Sequence, residues 1–246
     1  MSESSGRDLS GQIALVTGAT SGIGRAIALQ LAEQGATVLV HGRDVDRGVQ
    51  VVEEIELSGG TARFLAADLS DPLQATALAA EAGDVDILVN NAGFSWFGPT
   101  SDLDADTLDR IFAANVQAAY LMVAALAPAM VEKGAGSIVN VSSMAATIGL
   151  VGGAAYSATK AALSSFTRSW AAEFSPRGVR VNTVAPGPIY TAGAKPERTS
   201  MLGDTTLLGR AGDAREVAEA VGFLVSPGAA YITGTSLAVD GGRTAV

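Results

Sequence analysis

The chain has 246 residues, 48% of them hydrophobic and 17% charged, so much of it must be buried and it needs neither disulfides nor a metal to fold. A formal net charge of -9 argues against nucleic acid or an anionic membrane surface as the main partner. There is no cysteine and one histidine, His41, which removes thiolate chemistry and the usual imidazole pair of a metal site; no metal is expected, and a cytoplasmic location fits.

The first nine residues, MSESSGRDL, lack the apolar core of a signal peptide and read as a disordered tail, leaving one domain over 10–246. Residues 13–18 read as a buried strand. A glycine turn, TGATSGIG, leads into a helix over 23–34. Gly18, Gly22 and Gly24 permit a tight turn and close backbone approach, and the helix start offers free N–H groups to a pyrophosphate. A second strand spans 36–42. The acidic residue that binds ribose hydroxyls normally ends this strand; here the place falls at Gly42, followed by Arg43. With no carboxylate at Gly42 to repel it and a guanidinium beside it, a 2′-phosphate is welcome, so NADP(H) is expected, with NAD(H) as the open alternative. His41 reads as structural or as an adenine contact.

A helix over 44–57 and a strand over 61–68 follow. Asp68, at that strand's end, is placed to accept from the adenine amine. Asp71 and Pro72 open a short helix, as cap and first-turn residues. The fourth strand, 86–93, ends in NNAG, where Asn90 could tie neighbouring strands. A helix is expected over 104–133. Its uncharged stretch, 111–131, is nearly long enough for a membrane span but contains Asn115, Gln117 and Pro128. A buried or subunit-interface helix is the reading. A fifth strand (136–143), a long helix (153–174), a sixth strand (179–187), a helix (213–226) and a last strand (236–242) complete the chain. The irregular stretch 187–212 reads as a substrate lid. Strand–helix alternation of this kind gives an α/β, doubly wound Rossmann fold.

The chemistry lies at the fifth strand. Ser143 ends it, and Tyr156 follows thirteen residues later with Lys160 at i+4 on the same helix face. A free tyrosine titrates at about 10, and an adjacent ammonium and a nicotinamide that is positive when oxidised are both expected to favour the phenolate, making Tyr156 a usable acid and base. Ser143 can hydrogen-bond the substrate oxygen. A buried Asn115 needs partners, and a water linked to Lys160 would serve. Trp96 and Phe97 either line an apolar substrate pocket or pack within their loop.

These residues together resemble the short-chain dehydrogenase/reductase family over residues 11–242. The resemblance implies a seven-stranded parallel sheet and a catalytic tetrad of Asn115, Ser143, Tyr156 and Lys160. It implies cofactor contacts from Ser21, Ile23, Leu69, Asn91, Ala92, Gly93, Pro186, Gly187, Ile189 and Thr191, with Tyr156 and Lys160 also touching the dinucleotide. Homotetramers or homodimers built on the two long helices follow from it, as does a small carbonyl or alcohol substrate. Within the family the chain is most similar to 3-oxoacyl-(acyl-carrier-protein) reductases and related ketoreductases. It departs from many of them at Ser21 and at Phe94–Ser95–Trp96–Phe97. Sugar, polyol or hydroxysteroid-type dehydrogenation is the enzyme alternative. A non-enzymatic dinucleotide sensor is the other class, and it has no need of Ser143 or Tyr156.

Overall fold

The computed structural model describes residues 8–246. Most of the expected tail lies outside them, but its last residue does not behave as tail. Leu9 is fully buried in the core, and its N–H donates to the Gln34 carbonyl. Burying one leucine contributes about 1.5–3 kcal/mol, enough to hold the entry of the chain in place.

Among the described residues nine strands form: β1 (Ile13–Val16), β2 (Thr37–Gly42), β3 (Thr61–Ala66), β4 (Ile87–Asn90), β5 (Gly136–Val141), β6 (Val179–Pro186), β7 (Ile189–Tyr190), β8 (Gly212–Asp213) and β9 (Ser236–Val239). Seven pair into one parallel sheet in the order β3-β2-β1-β4-β5-β6-β9, while β7 and β8 make a separate two-stranded ladder. The central strands are apolar on both sides because both faces are covered. Ala14 and Val16 enter one core cluster and Leu15 the other, as the two-residue period of a strand requires. The helices α1 (Gly22–Glu33), α2 (Val45–Leu57) and α8 (Ala214–Val225) cover the first face. The second is covered by α3 (Pro72–Ala82), α5 (Ala118–Lys133) and α6 (Ala154–Phe174). The strand order reverses between β1 and β4, which opens a crevice at the carboxyl ends of the strands.

The expected helix over 104–133 is interrupted. It runs as α4 (Ala105–Phe112), a π-helical turn (Ala113–Gln117) and α5. Apolar periodicity could not show this, because the turn is fixed by Asn115 bonding to a distant loop. By length and composition the whole helix could cross a membrane, yet Met122, Val123, Leu126 and Met130 pack into the second core cluster. The stretch 187–212 is not irregular throughout. It contains the β7–β8 ladder at its base and α7 (Pro196–Gly203), started by Pro196. Arg210 holds Glu216 through two bonds of 2.8 and 2.7 Å, bringing the Glu216 carboxyl down to about 2 and tying the segment to α8.

A buried polar chain crosses the second face. Asn90 Nδ2 donates to Asn140 Oδ1 (2.9 Å), Asn140 Nδ2 donates to Thr167 Oγ1 (2.7 Å), and Thr167 meets Thr183 (2.7 Å). Asn90 therefore ties β4 to β5, and the chain continues through α6 to β6.

Candidate active site

The carboxyl ends of β1, β4, β5 and β6 and the turns after them enclose a cleft of about 760 Å³. That lies within the usual range of ligand sites. Thr17 laces its floor: its hydroxyl donates to the Val89 carbonyl and accepts the N–H groups of Asn91 and Ala92. The Asn91 amide donates to the carbonyls of Thr17 and Gly18. A Cβ at Gly24 would collide with the Gly18 carbonyl and that same amide, so only glycine lets α1 start this close to the sheet.

Aspartates cap α2, α3, α4 and α8: Asp44, Asp71, Asp104 and Asp213. At the start of α1, Ser21 makes no side-chain cap bond. The first-turn N–H groups of α1 thus face the cleft without a side-chain acceptor, together with the positive end of the helix dipole. That arrangement fits a pyrophosphate. Thr191 folds over it, its side chain 3.4 Å from where a Cβ of Gly22 would sit.

At the β2 end, Arg43 is 76% exposed and its guanidinium lies 3.7 Å from the Asp68 carboxylate. Asp68 is held below the usual carboxylate range chiefly by the hydroxyl and N–H of Ser70, with Arg43 adding to this. Arg47 also lines this end and bonds Asp44 at 2.8 Å. A Cβ at Gly42 would collide with the Thr20 methyl, so a carboxylate side chain fits where one would hold ribose hydroxyls only if Thr20 shifts. His41 is a strut. Its Nδ1 accepts from Gly18 N–H, and its Nε2 faces the Ala67 carbonyl, each at 3.1 Å. Burial brings its pKa down to about 4, so the ring is neutral and bridges β1, β2 and the turn after β3.

At the opposite end stand Ser143, Tyr156 and Lys160. The Ser143 hydroxyl accepts from Ala145 N–H (3.2 Å) and hydrogen-bonds the Tyr156 hydroxyl. Lys160 is 6% exposed, donates to the Val141 carbonyl (2.8 Å) and lies 5.8 Å from the centre of the Tyr156 ring. Two expectations need correction here. Burial raises the Tyr156 pKa, and the Ser143 hydroxyl opposes this without reversing it, so the phenol rests protonated. The Asn115 amide has protein partners: Oδ1 accepts from Phe94 N–H, and Nδ2 donates to the Phe94 carbonyl and to Thr159 Oγ1. Both amide hydrogens are engaged, so the side chain pins the loop after β4 and no water link to Lys160 runs through them. Thr159 in turn donates to the Tyr156 carbonyl (2.7 Å).

All the other expected site residues, from Gly18 through Arg43, Asp68, Leu69 and Gly93 to Pro186, Gly187, Ile189 and Thr191, line this one cleft; Asn115 stands behind it. Thr17, Thr20, Arg47, Arg110 and Thr159 escaped the sequence reading. Thr159 shares a helix face with Tyr156 and could have been found by its i+3 spacing. Thr17 and Thr20 lie within the glycine turn itself, while Arg47 on α2 and Arg110 on α4 are brought in by elements far apart in sequence. Phe97 packs on Tyr156, with ring centres 5.6 Å apart, while Trp96 lies over Gly98.

Burial also lowers the Lys160 pKa to about 8, from 10.5. Between those values the folded state binds fewer protons than the unfolded one, so stability rises with pH there. Relative to Lys160→Met, the wild type is expected to gain up to about 3 kcal/mol between pH 7 and pH 11. Urea unfolding of both proteins across that range checks it; a pH-independent difference would show an ordinary lysine.

A family model described as enoyl-(acyl carrier protein) reductase matches residues 18–244. The 3-oxoacyl-[acyl-carrier-protein] reductase of Vibrio harveyi is 42% identical over 243 residues, covering 96% of this chain and 98% of that protein. A solved short chain dehydrogenase/reductase family protein is 49% identical with a TM-score of 0.90, covering 97% of this chain and all of the other. The chain belongs to the short-chain dehydrogenase/reductase family. Other relatives in the family are the cyclopentanol dehydrogenase of Comamonas sp. (strain NCIMB 9872), 40% identical with 95% and 97% covered, and a solved putative NAD(P) dependent gluconate 5-dehydrogenase from Beutenbergia cavernae with bound NADP, 39% identical, TM-score 0.93, with 98% and 99% covered. As a short-chain dehydrogenase/reductase, the protein is an oxidoreductase acting on CH–OH groups with NAD(P).

Proposed function

We propose that the protein interconverts a ketone and a secondary alcohol with NADP(H), 3-oxoacyl groups being one substrate type. The observation that carries this is the convergence of Ser143, Tyr156 and Lys160 on one end of a cleft whose middle is the uncapped start of α1. A bound nicotinamide supplies or takes up the hydride. Residues of the glycine turn and α1 would hold its pyrophosphate, and Arg43 would take the 2′-phosphate. For reduction, Tyr156 donates its proton to the substrate oxygen, and burial keeps the phenol in the form that can donate. The Ser143 hydroxyl, beside that of Tyr156, bonds the same oxygen as charge develops on it. Lys160, fixed by the Val141 carbonyl and beside the Tyr156 ring, would hold the ribose hydroxyls. Asn115 and Thr159 set the loop and helix that carry these groups. Tyr120, Phe166 and Trp170 form an aromatic cluster on α5 and α6, with Tyr120 exposed, and this face is assigned to a second copy of the chain.

The test is a panel that includes cyclopentanone and a 3-oxoacyl thioester, run with NADPH and NADH in parallel and followed by nicotinamide absorbance. Turnover with NADPH is expected. Tight NADPH binding with no turnover on any member would replace the enzyme reading with that of a dinucleotide sensor.

A further inference from the structure

The two carboxylates that line the cleft, Asp44 and Asp68, both stand at the Arg43 end. Around the other end the charges are the buried Lys160 amine and guanidinium groups held on aromatic rings. Arg198, on α7, lies 4.5 Å from the centre of the Phe97 ring, and that ring packs on Tyr156. One aromatic ring therefore separates the guanidinium from the phenol. Arg110, on α4, lines the cleft and lies 5.9 Å from the centre of the Phe94 ring. Among the described residues neither arginine has a carboxylate within 4.0 Å, a state shared with Arg168, Arg177, Arg180 and Arg243 but not with Arg25, Arg43, Arg47, Arg63, Arg210 and Arg215. In a chain of net charge -9, two unneutralised cations at the substrate end call for an explanation.

An aromatic face holds a guanidinium without neutralising it, and at an exposed site the contact contributes about 0.5–1 kcal/mol. A charge-assisted, two-pronged bond to an oxyanion is stronger. An arriving anion would therefore win the competition for Arg198 and draw α7 with it over the bound molecule. Building on the ketone-reductase reading of this cleft, we infer that the substrate carries an anionic group remote from its carbonyl, a carboxylate or its chemical equivalent, received by Arg198 and Arg110.

The test compares 5-oxohexanoate with its neutral methyl ester on the NADPH-loaded enzyme, with cyclopentanone as a reference ketone. The acid is expected to exceed the ester in kcat/KM by about tenfold or more, the effect of one charge-assisted bond. That ratio is expected to fall towards unity in Arg198→Gln, to fall also in Arg110→Gln, and to shrink with added salt. Equal use of acid and ester by the wild type would overturn the inference. So would an Arg198→Gln variant that lowers both alike, since that is the signature of a structural latch. Calorimetric binding of 5-oxohexanoate to enzyme saturated with NADP⁺ reads the same ratio without turnover. If the acid binds in an arginine-dependent way but no ketone is reduced, the anion site stands and the reductase reading falls. If cyclopentanone is reduced but acid and ester bind alike, only the anion site falls.

Discussion

Tyr156→Phe is expected to keep dinucleotide binding and the fold while lowering turnover about 10²–10⁴-fold, the usual loss when a positioned acid is removed. The change deletes one hydroxyl and keeps the ring that packs against Phe97, so the surrounding structure has no reason to move. The measurement pairs kcat/KM on the best ketone of the panel with NADPH binding followed by fluorescence. Turnover near the wild-type level would remove Tyr156 from the chemistry. A pH dependence accompanies this. Because burial raises the Tyr156 pKa, the donating form persists through the neutral range, whereas alcohol oxidation needs the phenolate and should climb into the alkaline range.

The second large effect concerns the choice of cofactor. Arg43→Ala should weaken NADPH by about 10–100-fold, the size of one lost charge-assisted contact to a phosphate, and leave NADH nearly unchanged. Equal losses for both would withdraw the assignment of the 2′-phosphate to Arg43. The close approach of Thr20 to Gly42 adds a sharper condition. Gly42→Asp alone should fail to create an NADH enzyme, because the new Cβ collides with the Thr20 methyl. Adding Thr20→Ala removes that methyl and hydroxyl, the two nearest atoms, and leaves the Thr20 Cβ 3.3 Å from the new carbon. The double variant is the one expected to bind ribose hydroxyls through its carboxylate. A clean switch in Gly42→Asp by itself would show that Thr20 moves aside freely.

The difference between Gly42 and Thr20 illustrates what can be read from sequence. Gly42 stands out because strand periodicity locates the end of β2 and the missing acid is conspicuous there. Thr20 blocks the place from the turn after β1, and nothing local announces that the two meet. The glycine turn, Ser143, Tyr156 and Lys160 were readable for a similar reason: each sits at a strand end or on one helix face, where spacing implies position. The π-helical turn was not, since its cause is the bond between Asn115 and the backbone of Phe94, twenty-one residues away. The direction of the Tyr156 shift was misjudged because it depends on how deeply the hydroxyl is buried, which only packing determines. Helix α7 went unread because Thr, Gly and mixed charges over 191–204 show no apolar period, and its start rests on Pro196 alone.

The polar chain from Asn90 through Asn140 and Thr167 to Thr183 bears on precision as well as stability. Parallel strands rich in valine and isoleucine offer neighbours few landmarks, and sliding one by a residue pair would keep every apolar side chain on its proper face. Amide and hydroxyl groups cannot slide in this way without losing partners in a dry interior. The chain thus acts as an alignment key between β5, which delivers Ser143, and α6, which delivers Tyr156. Two hydroxyls that must meet one oxygen atom are kept in step by contacts that lie below the cleft and never touch its contents.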